Sequence, residues 1–111
     1  MASESVNRES DSNQNAVSSE PIFDADYLRN PAPVYPKLSR QRKEEGVVLL
    51  RVHVLANGEA DQLEVLQSSG FERLDEAALR AVRRWQFVPA KRGDETVAAW
   101  VRVPVRFNVN S

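Results

Sequence analysis

Residues 96–109 read T-V-A-A-W-V-R-V-P-V-R-F-N-V. Val101, Val103, Val105, Phe107 and Val109 alternate with Trp100, Arg102, Pro104, Arg106 and Asn108. That is the period of a β-strand with one face in a core and the other in water. Pro104 adds what alternation cannot. It has no N–H to donate, so a strand that holds it belongs at a sheet edge, with the proline turned away from its one neighbour. Trp100, Arg102 and Arg106 share its parity and then also aim their N–H and C=O groups outward. The edge is either an ordinary outermost strand, guarded by Pro104 and two arginines against indiscriminate pairing, or a row kept open for a chosen peptide.

Working back from this strand, A-K-R-G-D at 90–94 reads as a loop after Pro89, which cannot continue a helix. Leu74, Ala77, Ala78, Ala81, Val82 and Trp85 follow the spacing of an amphipathic helix with one apolar stripe. Its alanines allow close approach to a sheet. Ser68-Ser69-Gly70 supplies turn chemistry before it. Residues 47–56 and 59–67 read as two strands joined at Asn57-Gly58, where both residues can take positive φ. The first has Val48, Leu50, Val52 and Val54 on one face and further apolar residues on the other, so it is central; the second turns Leu63 and Val65 inward.

Pro36 suits a helix start and Gly46 a helix end, which brackets residues 37–45 as a short polar helix with only Leu38 to bury. Three prolines between residues 30 and 36 force an extended path, and Ile22, Phe23, Tyr27 and Leu28 just before them can dock on a domain. The organisation expected is a disordered tail over 1–20, an extended proline-rich leader docking on the domain over 21–36, and an α+β domain over 37–111. The order strand, strand, helix, strand predicts a three-stranded antiparallel sheet ordered 2-1-3, with one long helix packed on one face and a short N-terminal helix.

Composition removes several function classes. With 111 residues, 41% of them apolar and 28% charged, the chain suits one small domain. The net charge of −1 hides an asymmetry: residues 1–30 carry −4 and residues 31–111 carry +3, too mildly basic to argue for nucleic acid. There is no cysteine for disulfides or thiolate metal sites. The single histidine, His53, has no acid or nucleophile spaced to use it, Asp75-Glu76 and Asp94-Glu95 do not converge, and the glycines form no phosphate loop. The expectation is therefore no enzyme, cofactor or metal. Arg73, Arg80, Arg83 and Arg84 with Trp100 leave RNA binding as a weak alternative, because RNA-binding sheets show aromatics on central strands. No apolar run reaches a membrane span, and the first ten residues lack a secretion signal, which fits either a cytosolic protein or an excised domain.

Tyr35-Pro36, the strand G-V-V-L-L-R-V-H-V from Gly46, Asn57-Gly58, Ser69-Gly70, Leu74-Asp75-x-Ala77-Ala78, A-V-R-R-W-x-F-x-P over 81–89, and Gly93 occur in an order that resembles the TonB C-terminal domain family. The resemblance covers roughly residues 30–109, its most specific part being the Leu-Asp to Trp-x-Phe-x-Pro stretch. It implies a periplasmic domain of an inner-membrane-anchored energy transducer, here without anchor helix or spacer. Such proteins work with ExbB and ExbD and grasp the TonB box of outer-membrane transporters for siderophores and other nutrients. The implied peptide-binding residues are those of the last strand, Trp100, Val101, Arg102, Val103, Val105, Arg106 and Phe107, with secondary contacts at Ala32, Pro33 and Tyr35. Two departures stand out: Ala32 takes a position where some members have glutamine, and Pro104 interrupts the strand. A monomer is expected, with weak pairing of the same edge to a second copy as the alternative use.

Overall fold

The structure is a computed structural model that describes residues 19–24 and 28–110. In chain order its elements are α1 (Lys37–Gln41), β1 (Gly46–Val54), β2 (Ala60–Gln67), α2 (Glu72–Arg83), β3 (Ala90–Arg92), β4 (Glu95–Val97) and β5 (Ala99–Phe107). The sheet is antiparallel and ordered β2-β1-β5, with α2 packed against β1 and β2. The 2-1-3 order, the long helix and the short N-terminal helix are those expected from the sequence. The tail and Tyr27 fall on residues 1–18 and 25–27, outside the described residues, whereas Ser19 bridges to Lys91.

One layer of side chains makes the core. Val48, Leu50, Val52 and Val54 of β1 are fully buried, as are Leu74, Ala78 and Val82 of α2 and Val103 of β5. Val101, Val105 and Phe107 join them, and each large side chain so buried stabilises the fold by about 1.5–3 kcal/mol. Val65 takes the inward parity but stays 37% exposed, because β2 is an outer strand that α2 covers only in part.

Three local expectations are corrected. The short helix stops at Gln41, well before Gly46; Lys43 takes the left-handed turn at φ 56. Gly46 instead opens β1, where a Cβ would lie 2.9 Å from the Ser69 carbonyl oxygen. Leu38 is 40% exposed, and the segment is anchored by polar groups: Ser39 is fully buried and Glu44 nearly so. The β1–β2 turn closes on Leu55, with only Gly58 at positive φ (91), while the Asn57 Oδ1 accepts the Glu59 N–H. This is the longer hairpin loop that ends in a left-handed glycine, not a two-residue turn. Residues 90–94 are not a plain loop but the β3–β4 hairpin, turning at Gly93.

Two carboxylates tie these pieces together. Asp75 accepts the Ser69 N–H at 3.0 Å and both the Ser68 and Ser69 hydroxyls, clamping the end of β2 to the start of α2. Burial pushes its pKa up, but those donors outweigh burial and leave it below the ordinary aspartate value. Glu44 pairs with Arg73 at 2.7 Å, joining the α1–β1 link to α2. The Ser39 hydroxyl and then Arg73 and Arg42 hold its pKa below the ordinary glutamate value. Ser39 Oγ and Glu44 Oε1 each lack a hydrogen-bond partner of good geometry, so the Arg73 pair is the firmer attachment.

Gly58 and Gly70 separate two costs of a side chain. Both have positive φ, but a Cβ on Gly58 would meet the Phe87 carbonyl oxygen at 2.4 Å, whereas Gly70 has open space. In urea unfolding, Gly70→Ala is expected to cost about 1 kcal/mol and Gly58→Ala at least about 2 kcal/mol more. For Glu44, a folded pKa below the unfolded one means stability that is present above the unfolded value, about pH 4.3, and is lost as pH falls through the folded value. Glu44→Gln is therefore expected to lower stability at neutral pH and to flatten its fall on acidification, leaving the Asp75 share, in unfolding curves taken across that range.

Candidate peptide-binding edge

Among the described residues β5 has one strand neighbour, β1. Its register on β1 sets Arg106 opposite Val47, Pro104 opposite Leu49, Arg102 opposite Arg51 and Trp100 opposite His53. Pro104 cannot exchange hydrogen bonds with Leu49, so that pair is a non-bonded one, and alternation makes the other three non-bonded also. The N–H and C=O groups of Trp100, Arg102 and Arg106, with the C=O of Pro104, therefore point away from β1. No strand lies beyond them among the described residues. The side chains follow the same parity: Val101, Val103, Val105 and Phe107 are buried, while Arg102, Pro104 and Arg106 are exposed. The four buried residues give their main-chain groups to β1, and the outward set turns its main-chain groups away from the sheet.

The open face of the sheet is wired around Trp100. The Arg51 guanidinium lies 3.8 Å from the centre of its ring, and the ring of His53, directly opposite in the register, lies 4.9 Å away. Arg51 reaches Glu64 at 3.2 Å, and His53 Nδ1 lies 2.6 Å from Asp61 Oδ1. This acid beside His53 was missed in the sequence, where it is eight residues away; a register shift after His53 turns it onto the same face. Beside Trp100 a shallow groove of about 450 Å³ is lined by Glu20, Arg51, Leu66, Trp100, Val101 and Arg102. Arg102 and Arg106 have no ion pair among the described residues.

The leader takes its main-chain partners away from β5. Ile22 and Val88 exchange main-chain bonds of 2.9 and 2.8 Å, and Ser19 and Lys91 bridge at 3.3 Å. Phe23 stacks on Trp85, whose indole N–H donates to the Pro31 carbonyl at 2.8 Å. Asn30 Nδ2 donates to the Gln86 carbonyl at 2.7 Å and its Oδ1 accepts the Gln86 N–H at 2.8 Å. Tyr35 sets its ring edge-on to Phe107 and its hydroxyl donates to the Glu44 carbonyl. Burial, then Glu45, pushes its phenol pKa up. Of the secondary contacts, Tyr35 thus packs against the core face at the Phe107 end of β5, Ala32 lines a groove against α2, and Pro33 is half-buried. The described part of the leader bonds through its main chain to Val88 and Lys91, and Glu20 lines the groove beside Trp100 with no main-chain bond to β5 among the described residues.

The family model for the Gram-negative bacterial TonB protein C-terminal matches residues 31–109. The chain belongs to this family. It is 57% identical over 90 residues to the tonB2 protein of Pseudomonas aeruginosa, covering 81% of this chain and 33% of that protein. With the TonB protein of Vibrio cholerae it shares 36% identity over 77 residues, 69% of this chain and 32% of that one. The chain thus spans about a third of the length of these relatives. The solution structure of the Pseudomonas aeruginosa TonB C-terminal domain superposes with a TM-score of 0.64 at 28% identity, over 76% of this chain and 85% of that one. That of Helicobacter pylori, at 23% identity and a TM-score of 0.55, covers 68% of both chains and supports the fold. In this TonB C-terminal domain His53–Asp61 is a contact of the sheet face. No helix among the described residues is long and apolar enough to cross a membrane.

The leader's attachment is testable apart from the edge. Asn30→Ala removes its bonds to Gln86 and to the Phe23 carbonyl. It is expected to cost about 1–2 kcal/mol and to speed exchange of the Trp85 indole N–H, with the amides of Trp100, Arg102 and Arg106 unchanged in the same spectra.

Proposed function

We propose that this TonB C-terminal domain works in the periplasm as the coupling end of an inner-membrane energy transducer, and that it takes the TonB box of outer-membrane transporters as an added strand on β5. The observation that carries this is the outward row at Trp100, Arg102, Pro104 and Arg106, unpaired among the described residues at the end of the sheet. Main-chain bonds supply affinity in such an addition, and side chains of the alternate face supply choice. Here that face offers Trp100 and the cations Arg102 and Arg106, which favour a guest with acidic residues. ExbB and ExbD act on the whole protein, of which this chain is the part that meets the transporter, and the cargo is siderophores and similar nutrients.

A handful of main-chain bonds at about 1 kcal/mol each, with some apolar contact and less the ordering of a flexible peptide, gives binding near micromolar, about −8 kcal/mol. A short capped acidic peptide from the N-terminal segment of such a transporter, titrated by NMR, is expected to shift and protect the amides of Trp100, Arg102 and Arg106. The amides of Val101, Val103 and Val105 should keep their protection. Reversing both exposed charges, Arg102→Glu with Arg106→Glu, should weaken binding by about tenfold at low salt and less at high salt. Shifts confined to α1 with β5 silent would place the peptide on another surface and end the proposal.

A further inference from the structure

We propose that Pro104 limits how tightly the edge can hold a guest strand, an inference that rests on strand addition to β5. At each outward position a guest can exchange two main-chain bonds, one to an N–H and one to a C=O. Pro104 offers the carbonyl alone, so whichever way the guest runs, one of its own carbonyls faces the pyrrolidine ring with no donor.

The fold itself does not ask for this proline. Pro104 is exposed, and it sits opposite Leu49 at a register position where β1 draws no hydrogen bond from it. A β-branched residue would satisfy β1 equally and suit a strand better. The gap falls inside the ladder, with donors at Arg102 on one side and Arg106 on the other. A guest is held as two short runs of bonds flanking an orphaned carbonyl, not as one continuous row.

Pro104→Val restores the donor without disturbing the β1 side. The affinity of the same capped peptide is expected to rise about five- to tenfold, the worth of one net hydrogen bond. An amide-to-ester scan along the peptide, which weakens one carbonyl acceptor at a time, supplies a second readout that needs only the unmodified domain. One acceptor flanked by costly ones should be silent there, and in Pro104→Val that position should become costly. If the variant does not fold, the silent position alone decides. Equal affinities, or an ester scan with every β5-facing acceptor costly in the unmodified domain, overturn the role of Pro104 while leaving strand addition intact. If the peptide leaves the amides of Trp100, Arg102 and Arg106 unprotected, strand addition falls and this inference with it.

Discussion

In a β-strand the face a side chain takes and the side to which its residue turns N–H and C=O alternate together, and β5 has both alternations pinned by one residue. Pro104 has nothing to give β1, so it must sit at a non-bonded position, opposite Leu49. That choice sends Val101, Val103, Val105 and Phe107 to the core and turns their main-chain groups toward β1. It leaves the tryptophan and the arginines with outward backbone. A slip of one residue would bury Arg102 and Arg106 and set a residue without a donor against the central strand, two losses at once. The core and the vacant edge are therefore consequences of a single register.

The other described elements keep that register and cover one face of the sheet. α2 packs on β1 and β2, and Tyr35 of the leader meets Phe107 at the end of β5. Glu44–Arg73 and Asp75 with its two serines fix the links that would otherwise let the helix slide along the sheet. The leader takes its own main-chain partners from Val88 and from Lys91 of β3, on the first arm of the β3–β4 hairpin that leads into β5. A segment with so much extended backbone is a ready competitor for an open edge. Bonding at Ile22 and Ser19 to a different stretch occupies it without closing β5.

Strand order, the α2 stripe and the edge position of β5 were legible because each rests on a period or a missing donor that few side chains can fake. The Val48-to-Val54 alternation and the Leu74-to-Val82 spacing show this most directly. The misses share a cause as well. The α1–β1 link is held by a buried glutamate, Glu44, whose partner, Arg73, lies 29 residues away, so no local pattern announces it. Gly46 looks like a helix cap but answers to the backbone of Ser69 across the fold. The acid at His53 depends on where a bulge falls in a hairpin. Within the proposed site, Pro104 was readable as an edge marker, and the expected contact residues fall into two sets, Trp100, Arg102 and Arg106 with outward main-chain groups and Val101, Val103, Val105 and Phe107 with main-chain groups facing β1. Hydrogen-bond parity, applied to every residue and not to the proline alone, separates them.

Weak binding and the bearing of load are compatible if the guest lies as a strand along β5. A pull parallel to the strands loads all the bonds together, and a pull across them opens one at a time, so strength under load depends on geometry more than on equilibrium affinity. On the proposed addition, a guest carbonyl orphaned opposite Pro104 would lower the affinity and leave bonded runs on either side of it, at Trp100 with Arg102 and at Arg106. The complex then releases readily when unloaded, because opening from either end soon reaches the gap. Under a parallel pull the flanking runs still share the force. The coupling role proposed for this domain calls for both grip and release, and a proline in mid-edge, useless to the core, is a simple way for a sequence to write that combination.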